Sequence, residues 1–188
     1  KKLLLAFFLI FLIGIFFLNY NYPFFTKKIG RWSVGFTFVE APLEKPNIDE
    51  KHLISYVEVD TLLKSEGNYI ADPFFIFKDK TFYLFTELKG KNNANIALFT
   101  SSNGLDYKYE GVVIDEDFHL SYPQVFRHKS EIYMLPETKQ SGNVLLYKAI
   151  DFPTKWEIVD TLIRNRKLKD ATILLEKYFF VFILPAFE

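Results

Sequence analysis

The chain repeats itself with a period of about 50 residues, and this repeat constrains the fold more than any other feature. The segment DPFFIFKDKTFYLFTE (72–87) aligns with YPQVFRHKSEIYMLPE (122–137), so that the prolines and the final glutamates coincide. A further copy, DATILLEKYFFVFIL (170–184), follows about 48 residues later. A fixed spacing of this length predicts a series of similar supersecondary units.

The first full period is predicted to hold four short strands. Aromatic and β-branched residues dominate these segments, and turn residues separate them. The predicted strands are Phe74–Phe77, Thr81–Thr86, Asn95–Thr100 and Lys108–Ile114. Four antiparallel strands that recur every 50 residues are typical of β-propeller blades, whereas a β-sandwich has many strands without a fixed period. We therefore predict an all-β fold, a partial β-propeller of four-stranded antiparallel blades.

The predicted blades are too few to close a propeller. One outermost strand is predicted at 55–63, full blades at 72–114 and 122–163, and the first hairpin of another blade at 170–184. A propeller closes with about four to eight blades. The blade count therefore predicts that this sequence is a fragment, or a truncated product, of a longer protein.

The N-terminus predicts a membrane anchor. The run LLLAFFLIFLIGIFFL (3–18) carries no charge and shows neither strand alternation nor a polar helical face. An uncleaved signal anchor over 1–26, crossing the membrane through residues 3–22, is favoured because no small-x-small cleavage site follows the run. A cleaved signal peptide and a buried helix are the alternatives. The anchor would leave the propeller on the non-cytoplasmic side of the membrane.

The remaining chain is divided into two parts. Residues 27–52 are predicted to form a connecting segment with one strand, and residues 53–188 the incomplete propeller. Basic and acidic residues both number 23, so no net charge favours nucleic acid as a partner. There is no cysteine, and the three histidines lack the spacing of metal ligands, so we predict neither a cofactor nor a metal site. A Ca²⁺ ion bridging carboxylates is the alternative.

Propeller geometry predicts where the polar residues meet. The start of each innermost strand and the end of its neighbour lie on one face, so three positions from successive blades are equivalent: Asp72, Tyr122 and Asp170. Glu87 and Glu137 end the neighbouring strands. We call the four carboxylates of this face the acidic mouth: Asp72, Glu87, Glu137 and Asp170. The loop that leads into the second blade contributes His119 and Ser121.

Three segments carry a resemblance to a known family: ADPFFIF…FYLFTE, FHLSYPQVFRHKSEIYMLPET and DATILLEKYFFVF. From residue 31 to residue 188 the chain resembles the N-terminal β-propeller domain of the glucosamine inositolphosphorylceramide transferases. That domain is in turn similar to the five-bladed propellers of family-43 glycosidases and of the invertase–levansucrase group. The resemblance implies a five-bladed propeller that acts on carbohydrate. It does not extend to the glycosyltransferase domain that follows the propeller in the plant enzymes.

The glycosidase resemblance implies roles for individual carboxylates. Asp72 matches the general base that opens the first blade of those enzymes, and Asp170 stands where their general acid is a glutamate. The position that tunes the pKa in the second blade is occupied here by Ser121 and Tyr122. Glu137 joins Asp72 and Asp170 as a catalytic candidate because crowded carboxylates raise one another's pKa.

The other residues of this face are predicted to bind substrate: Glu87, His119, Ser121 and Tyr122. Each also has an ordinary structural explanation, such as a strand end, a loop histidine or a core tyrosine. Trp32 and Trp156 are predicted to pack within strands. Two functions stay open: a glycosidase-like or glycosyl-transfer-associated enzyme on a sugar conjugate, and a non-catalytic glycan-binding propeller. A protein-interaction scaffold explains the acidic mouth less well.

Overall fold

A computed structural model describes residues 1–21, 32–41, 43–47, 52–54, 69–90, 92–175 and 180–183. By its internal contacts the chain divides into two units, Lys1–Gly30 and Arg31–Glu188. The strand predicted at 55–63 lies outside the described residues.

The first unit contains helix α1, Lys2–Asn21. Leucine, isoleucine and phenylalanine fill it without an internal proline, and most of its described apolar side chains are exposed to solvent. Within the described residues, no helix combines the length and the apolar character that crossing a membrane requires. The anchor over 1–26 stays a prediction.

Two four-stranded antiparallel sheets dominate the second unit. Sheet I has the strand order β3-β4-β5-β6, with β3 Tyr69–Lys78, β4 Thr81–Lys89, β5 Ala94–Ser101 and β6 Lys108–Ile114. Sheet II repeats this order with β7 Ser121–His128, β8 Glu131–Glu137, β9 Val144–Asp151 and β10 Lys155–Ile163. The predicted four-stranded antiparallel units are confirmed. Their closure into a propeller stays a prediction.

Two smaller pairings flank these sheets. Strand β1 (Val34–Gly35) pairs with β2 (Leu53–Ile54), and β1 lies within the segment 27–52 for which one strand is predicted. The hairpin of β11 (Thr172–Leu175) and β12 (Phe180–Ile183) follows sheet II, where the sequence repeat predicts the next unit.

The core lies between sheets I and II. Buried side chains from both sheets form one cluster, which includes Phe85, Ile96, Leu98, Ile132, Met134 and Tyr147. Trp156 on β10 packs edge-on against Phe85 with ring centroids 5.5 Å apart, as predicted for a strand-packing tryptophan. A second cluster joins sheet II to the β11–β12 hairpin through Leu135, Val144, Leu168, Ala171 and Ile173. Each repeat unit is thus packed against the next.

The first hairpin of sheet I shows how the sequence determines a turn. Strands β3 and β4 are joined by Asp79 and Lys80, which both adopt positive φ, at 49° and 62°. A two-residue hairpin of this kind has the twist that matches paired strands. The turn fixes the register in which Lys78 pairs with Thr81.

Candidate functional site

The site is built on two β-bulges at equivalent positions of the repeat. Pairing of β3 with β4 shifts its register at Asp72, and pairing of β7 with β8 shifts at Tyr122. Asp72, Tyr122 and Asp170 all have left-handed backbone conformations, with φ of 51°, 48° and 46°. This conformation is uncommon for residues other than glycine, and bulges often redirect side chains beside functional sites. The repeat therefore gives three residues the same unusual backbone geometry.

Carboxylates of one repeat bind backbone amides of the next repeat. The Tyr122 N–H of sheet II donates to Asp72 Oδ2 of sheet I at 3.1 Å. The Asp170 N–H, two residues before β11, donates to Glu137 Oε2 of sheet II at 3.2 Å. Tyr122 and Asp170 thus each have their amide held by a carboxylate from the preceding sheet, which offsets part of the cost of their backbone strain.

Glu87 is the most buried member of the acidic mouth, with 5% of its surface exposed. Its Oε1 accepts a hydrogen bond from the Tyr69 hydroxyl at 2.9 Å and lies 3.3 Å from His119 Nε2. Burial raises the pKa of Glu87 to about 7, the Tyr69 hydrogen bond opposes this rise, and contact with Asp72 and the charge of Glu137 add to it. Near neutral pH this carboxyl group is therefore protonated in a large fraction of molecules.

Glu137 forms a second carboxyl pair with Asp170. Burial, followed by the hydrogen bond and charge of Asp170, raises the pKa of Glu137 to about 7. Lys139 and the backbone amide of Asp170 act in the opposite direction. The mouth therefore contains two contacting pairs, Asp72 with Glu87 and Glu137 with Asp170. A pair that shares a proton offers both a donor and an acceptor to a bound hydroxyl group.

His119 lies in the loop before β7 and is half-buried. Its backbone N–H donates to Gln140 Oε1 at 3.0 Å, which fixes the loop. Burial and the charge of Lys89 lower the pKa of His119, against an opposing effect of Asp72. The imidazole is therefore neutral at neutral pH, and its 3.3 Å contact with Glu87 is not an ion pair there.

The side chains of Tyr122 and Ser121 have contacts within the protein that a freely exposed binding surface lacks. The Tyr122 hydroxyl shares a hydrogen bond of 3.1 Å with Thr172 Oγ1, and its ring packs edge-on against Phe74 at 4.8 Å. Ser121 is 6% exposed and pairs with Glu137 across the β7–β8 ladder. Tyr122 thus joins sheet II to its neighbours on both sides, whereas Ser121 is buried within sheet II. The predicted role of both residues in substrate binding stays a prediction.

Two residues at this site escaped the sequence analysis. Tyr69 pairs with Lys89, which makes it the diagonal neighbour of Glu87 across β3 and β4. Gln124 bonds both backbone groups of Ile173, through Nε2 at 2.9 Å and Oε1 at 2.8 Å. The Tyr69 contact depends on the register beyond the bulge, and the Gln124 contact depends on packing between β7 and β11, so neither follows from the repeat.

A pocket of about 350 Å³ opens beside the first carboxyl pair. Tyr69, Asp72 and Glu87 contribute to its lining, and so does Trp32. The prediction that Trp32 packs within a strand is wrong: it precedes β1, and 64% of its surface is exposed. Within the described part of the chain, no group of three or more histidine, aspartate or glutamate side chains has an arrangement that holds a metal ion.

Comparison with known proteins gives consistent matches. Residues 26–186 match the family model described as glucosamine inositolphosphorylceramide transferase 1, N-terminal. A protein of that name from Arabidopsis thaliana is 30% identical over 161 residues, covering 77% of this chain and 21% of the relative. The relative of the same name from Oryza sativa subsp. indica is also 30% identical, with 77% and 22% covered. The chain thus spans about a fifth of the length of these relatives.

Proposed function

This chain belongs to the family of the N-terminal region of glucosamine inositolphosphorylceramide transferase 1, and from that premise we propose that it is a carbohydrate-binding domain associated with glycosyl transfer. Its ligand is the sugar part of a glycoconjugate, bound at the acidic mouth. The finer architecture, a five-bladed propeller of which sheets I and II are two blades, is part of the same proposal.

The observation that carries the proposal is the pairing of carboxyl groups at the mouth. Two pairs, each with one member whose pKa is raised to about 7, hold donors and acceptors in a partly dehydrated place. Such groups repel one another when ionised and need a proton, a cation or a hydroxyl-rich ligand for balance. A sugar supplies hydroxyl groups of both hydrogen-bonding senses.

Glucosamine is the first ligand to test. The name of the relatives contains this amino sugar together with inositolphosphorylceramide. Its ammonium group complements the negative charge of the acidic mouth, and its hydroxyl groups suit the shared protons of the carboxyl pairs. We therefore expect glucosamine to bind more tightly than glucose, which has the same ring without the ammonium group.

The substitution Asp72→Asn tests this site, because it removes the charge of one carboxylate and keeps the hydrogen bond that this side chain accepts. In Asp72→Asn the amide oxygen still accepts from the Tyr122 N–H, so the bulge should persist. We expect the variant to bind glucosamine about tenfold more weakly, because a contact with the ammonium group worth about 1.4 kcal/mol is lost. Chemical-shift titration of the full chain by NMR measures the affinity.

The matched control is Asp79→Asn, the same substitution at the exposed β3–β4 turn. It should bind as the unchanged protein does. Equal affinities in all three proteins, or no sugar binding by the unchanged protein, would contradict the proposed function.

Hydrolysis of a glycosidic bond is the second candidate, and the raised pKa of Glu137 favours it. A carboxyl group with a pKa of about 7 is suited to protonate a leaving oxygen, while Asp72 of the other pair would activate the attacking water. Glu87 contacts Asp72, so these two carboxyl groups do not stand on opposite sides of a glycosidic bond. Product release from a chromogenic glycoside that stops in Asp72→Asn would support this activity, and binding without turnover would exclude it for that substrate.

We further propose that residues 3–22 attach the protein to a membrane with the sheets on the non-cytoplasmic side. The exposed apolar side chains of α1 support this, among them Phe7, Phe11, Phe16 and Leu18. The full chain should stay with membranes after alkaline extraction, and sealed vesicles should protect it from added protease. Replacing Phe8 and Phe11 by aspartate should release it, because each charge costs about 3 kcal/mol within lipid. A mature N-terminus between Asn19 and Lys27 would replace the anchor by a signal peptide.

A further inference from the structure

Trp32 exposes a large aromatic surface beside the acidic mouth. Its exposed fraction of 64% is high for a residue type that is mostly buried on average. Its backbone is nevertheless anchored: the Ile70 N–H donates to the Trp32 carbonyl at 3.4 Å, and Val34 nearby is 4% exposed within the core beneath. The side chain is thus presented to solvent by a segment that is packed on sheet I.

The pocket beside Trp32 has two chemically different walls. The indole contributes an apolar surface, and Tyr69, Asp72 and Glu87 contribute polar groups. Its volume of about 350 Å³ lies at the lower end of the range for small-molecule pockets. Space of this size suits one sugar ring better than a chain of several.

A pyranose ring has the complementary shape. Its C–H groups form an apolar face that covers an indole, and its hydroxyl groups project from the rim toward hydrogen-bonding partners. We propose that Trp32 is a stacking platform for a single pyranose ring whose polar substituents bond to Asp72 and Glu87. This subsite rests on the proposed function and adds the residue that orients the sugar.

The other aromatic residues of this face do not offer the same surface. Tyr122 is fixed at its hydroxyl by Thr172 and at its ring by Phe74. Tyr69 donates its hydroxyl hydrogen to Glu87. Trp32 therefore provides the aromatic face of the pocket, and Tyr69 orients the carboxyl group below it.

The two tryptophans make a direct measurement possible. The chain has two indole N–H groups, and that of Trp156 donates to the Pro153 carbonyl at 2.9 Å beside the core. Addition of glucosamine to the labelled full chain should shift the Trp32 indole NMR signal and leave the Trp156 signal in place. The signals are assigned with the variant Trp32→Phe.

Affinities of variants test the platform. Trp32→Ala should weaken glucosamine binding about five- to tenfold, and Trp32→Phe, which keeps an aromatic face, should weaken it about twofold. The control is Phe38→Ala, which removes an aromatic side chain that is 67% exposed and does not line the pocket. Its affinity should equal that of the unchanged protein. Thermal unfolding verifies that each variant is folded.

The outcomes separate this inference from the proposed function. Binding that weakens in Asp72→Asn but not in Trp32→Ala would overturn the platform and leave the acidic mouth as the site. Binding that weakens in Trp32→Ala but not in Asp72→Asn would support stacking on Trp32, and would contradict both the contact of the sugar with Asp72 and the proposed role of the acidic mouth. An unmoved Trp32 signal at saturating glucosamine would overturn the platform, and no binding at all would overturn both.

Discussion

As the pH rises from 4.5 to 7, the free energy of unfolding of Glu87→Gln should increase relative to that of the unchanged protein by on the order of 3 kcal/mol. The pKa of Glu87 rises from 4.5 to about 7 on folding, so the folded state holds this proton more tightly than the unfolded chain does. The stability that the proton contributes is fully present below pH 4.5 and is lost as the pH rises through 7. Glutamine resembles the protonated acid and does not titrate. Urea unfolding of both proteins across this pH range measures the difference.

Glu87 is not the only group with a shifted pKa, so its contribution to stability is measured as a difference between variants. Glu137, whose pKa is also raised, acts in the same direction in both proteins. His119 acts in the opposite direction, because a lowered histidine pKa removes stability as the pH falls. The control is Glu157→Gln at an exposed position of β10, whose stability should follow that of the unchanged protein at every pH. Parallel curves for Glu87→Gln and Glu157→Gln would contradict the buried, proton-holding state of Glu87.

Phe85→Ala should lower the free energy of unfolding by about 3–5 kcal/mol. Phe85 is fully buried and is among the side chains that join sheet I to sheet II. Its ring lies edge-on to Trp156 and Phe152, so truncation leaves a cavity and removes two aromatic contacts. Chemical unfolding measures this loss.

An exposed phenylalanine provides the comparison. Phe75→Ala on β3, where 60% of the side chain is exposed, should cost less than about 1 kcal/mol. A loss of less than about 1 kcal/mol for Phe85→Ala as well would show that the two sheets do not share a core.

The repeat was sufficient to predict the strands of both sheets. The segment 122–137 aligns with the predicted strands of 72–87, and β7 and β8 cover nearly the same residues. Strand alternation and turn residues are local signals, and each copy of the repeat reinforces the other. The two four-stranded units were therefore predictable from short stretches of sequence.

The contacts of the site were less predictable. The equivalence of Asp72, Tyr122 and Asp170 follows from the repeat, and the three residues do share one backbone conformation. Which amide each carboxylate binds depends on bulges and on packing between sheets, which no local pattern encodes. Trp32 lies before the repeat, so no second copy was available to show that it differs from a strand residue.

The hydrogen bonds between successive repeats do not depend on the side chain of the donor residue, so the repeats can stay docked while their side chains diverge. In both junctions the donor is a backbone N–H, which is present at a position whatever its side chain, proline excepted. A duplicated repeat can therefore dock on the preceding repeat before selection has fixed which side chain its donor residue carries. Tyr122 has no carboxylate with which to accept the next amide hydrogen bond, as Asp72 does. Glu137 accepts that bond instead, so the docking survives the exchange of aspartate for tyrosine at this position.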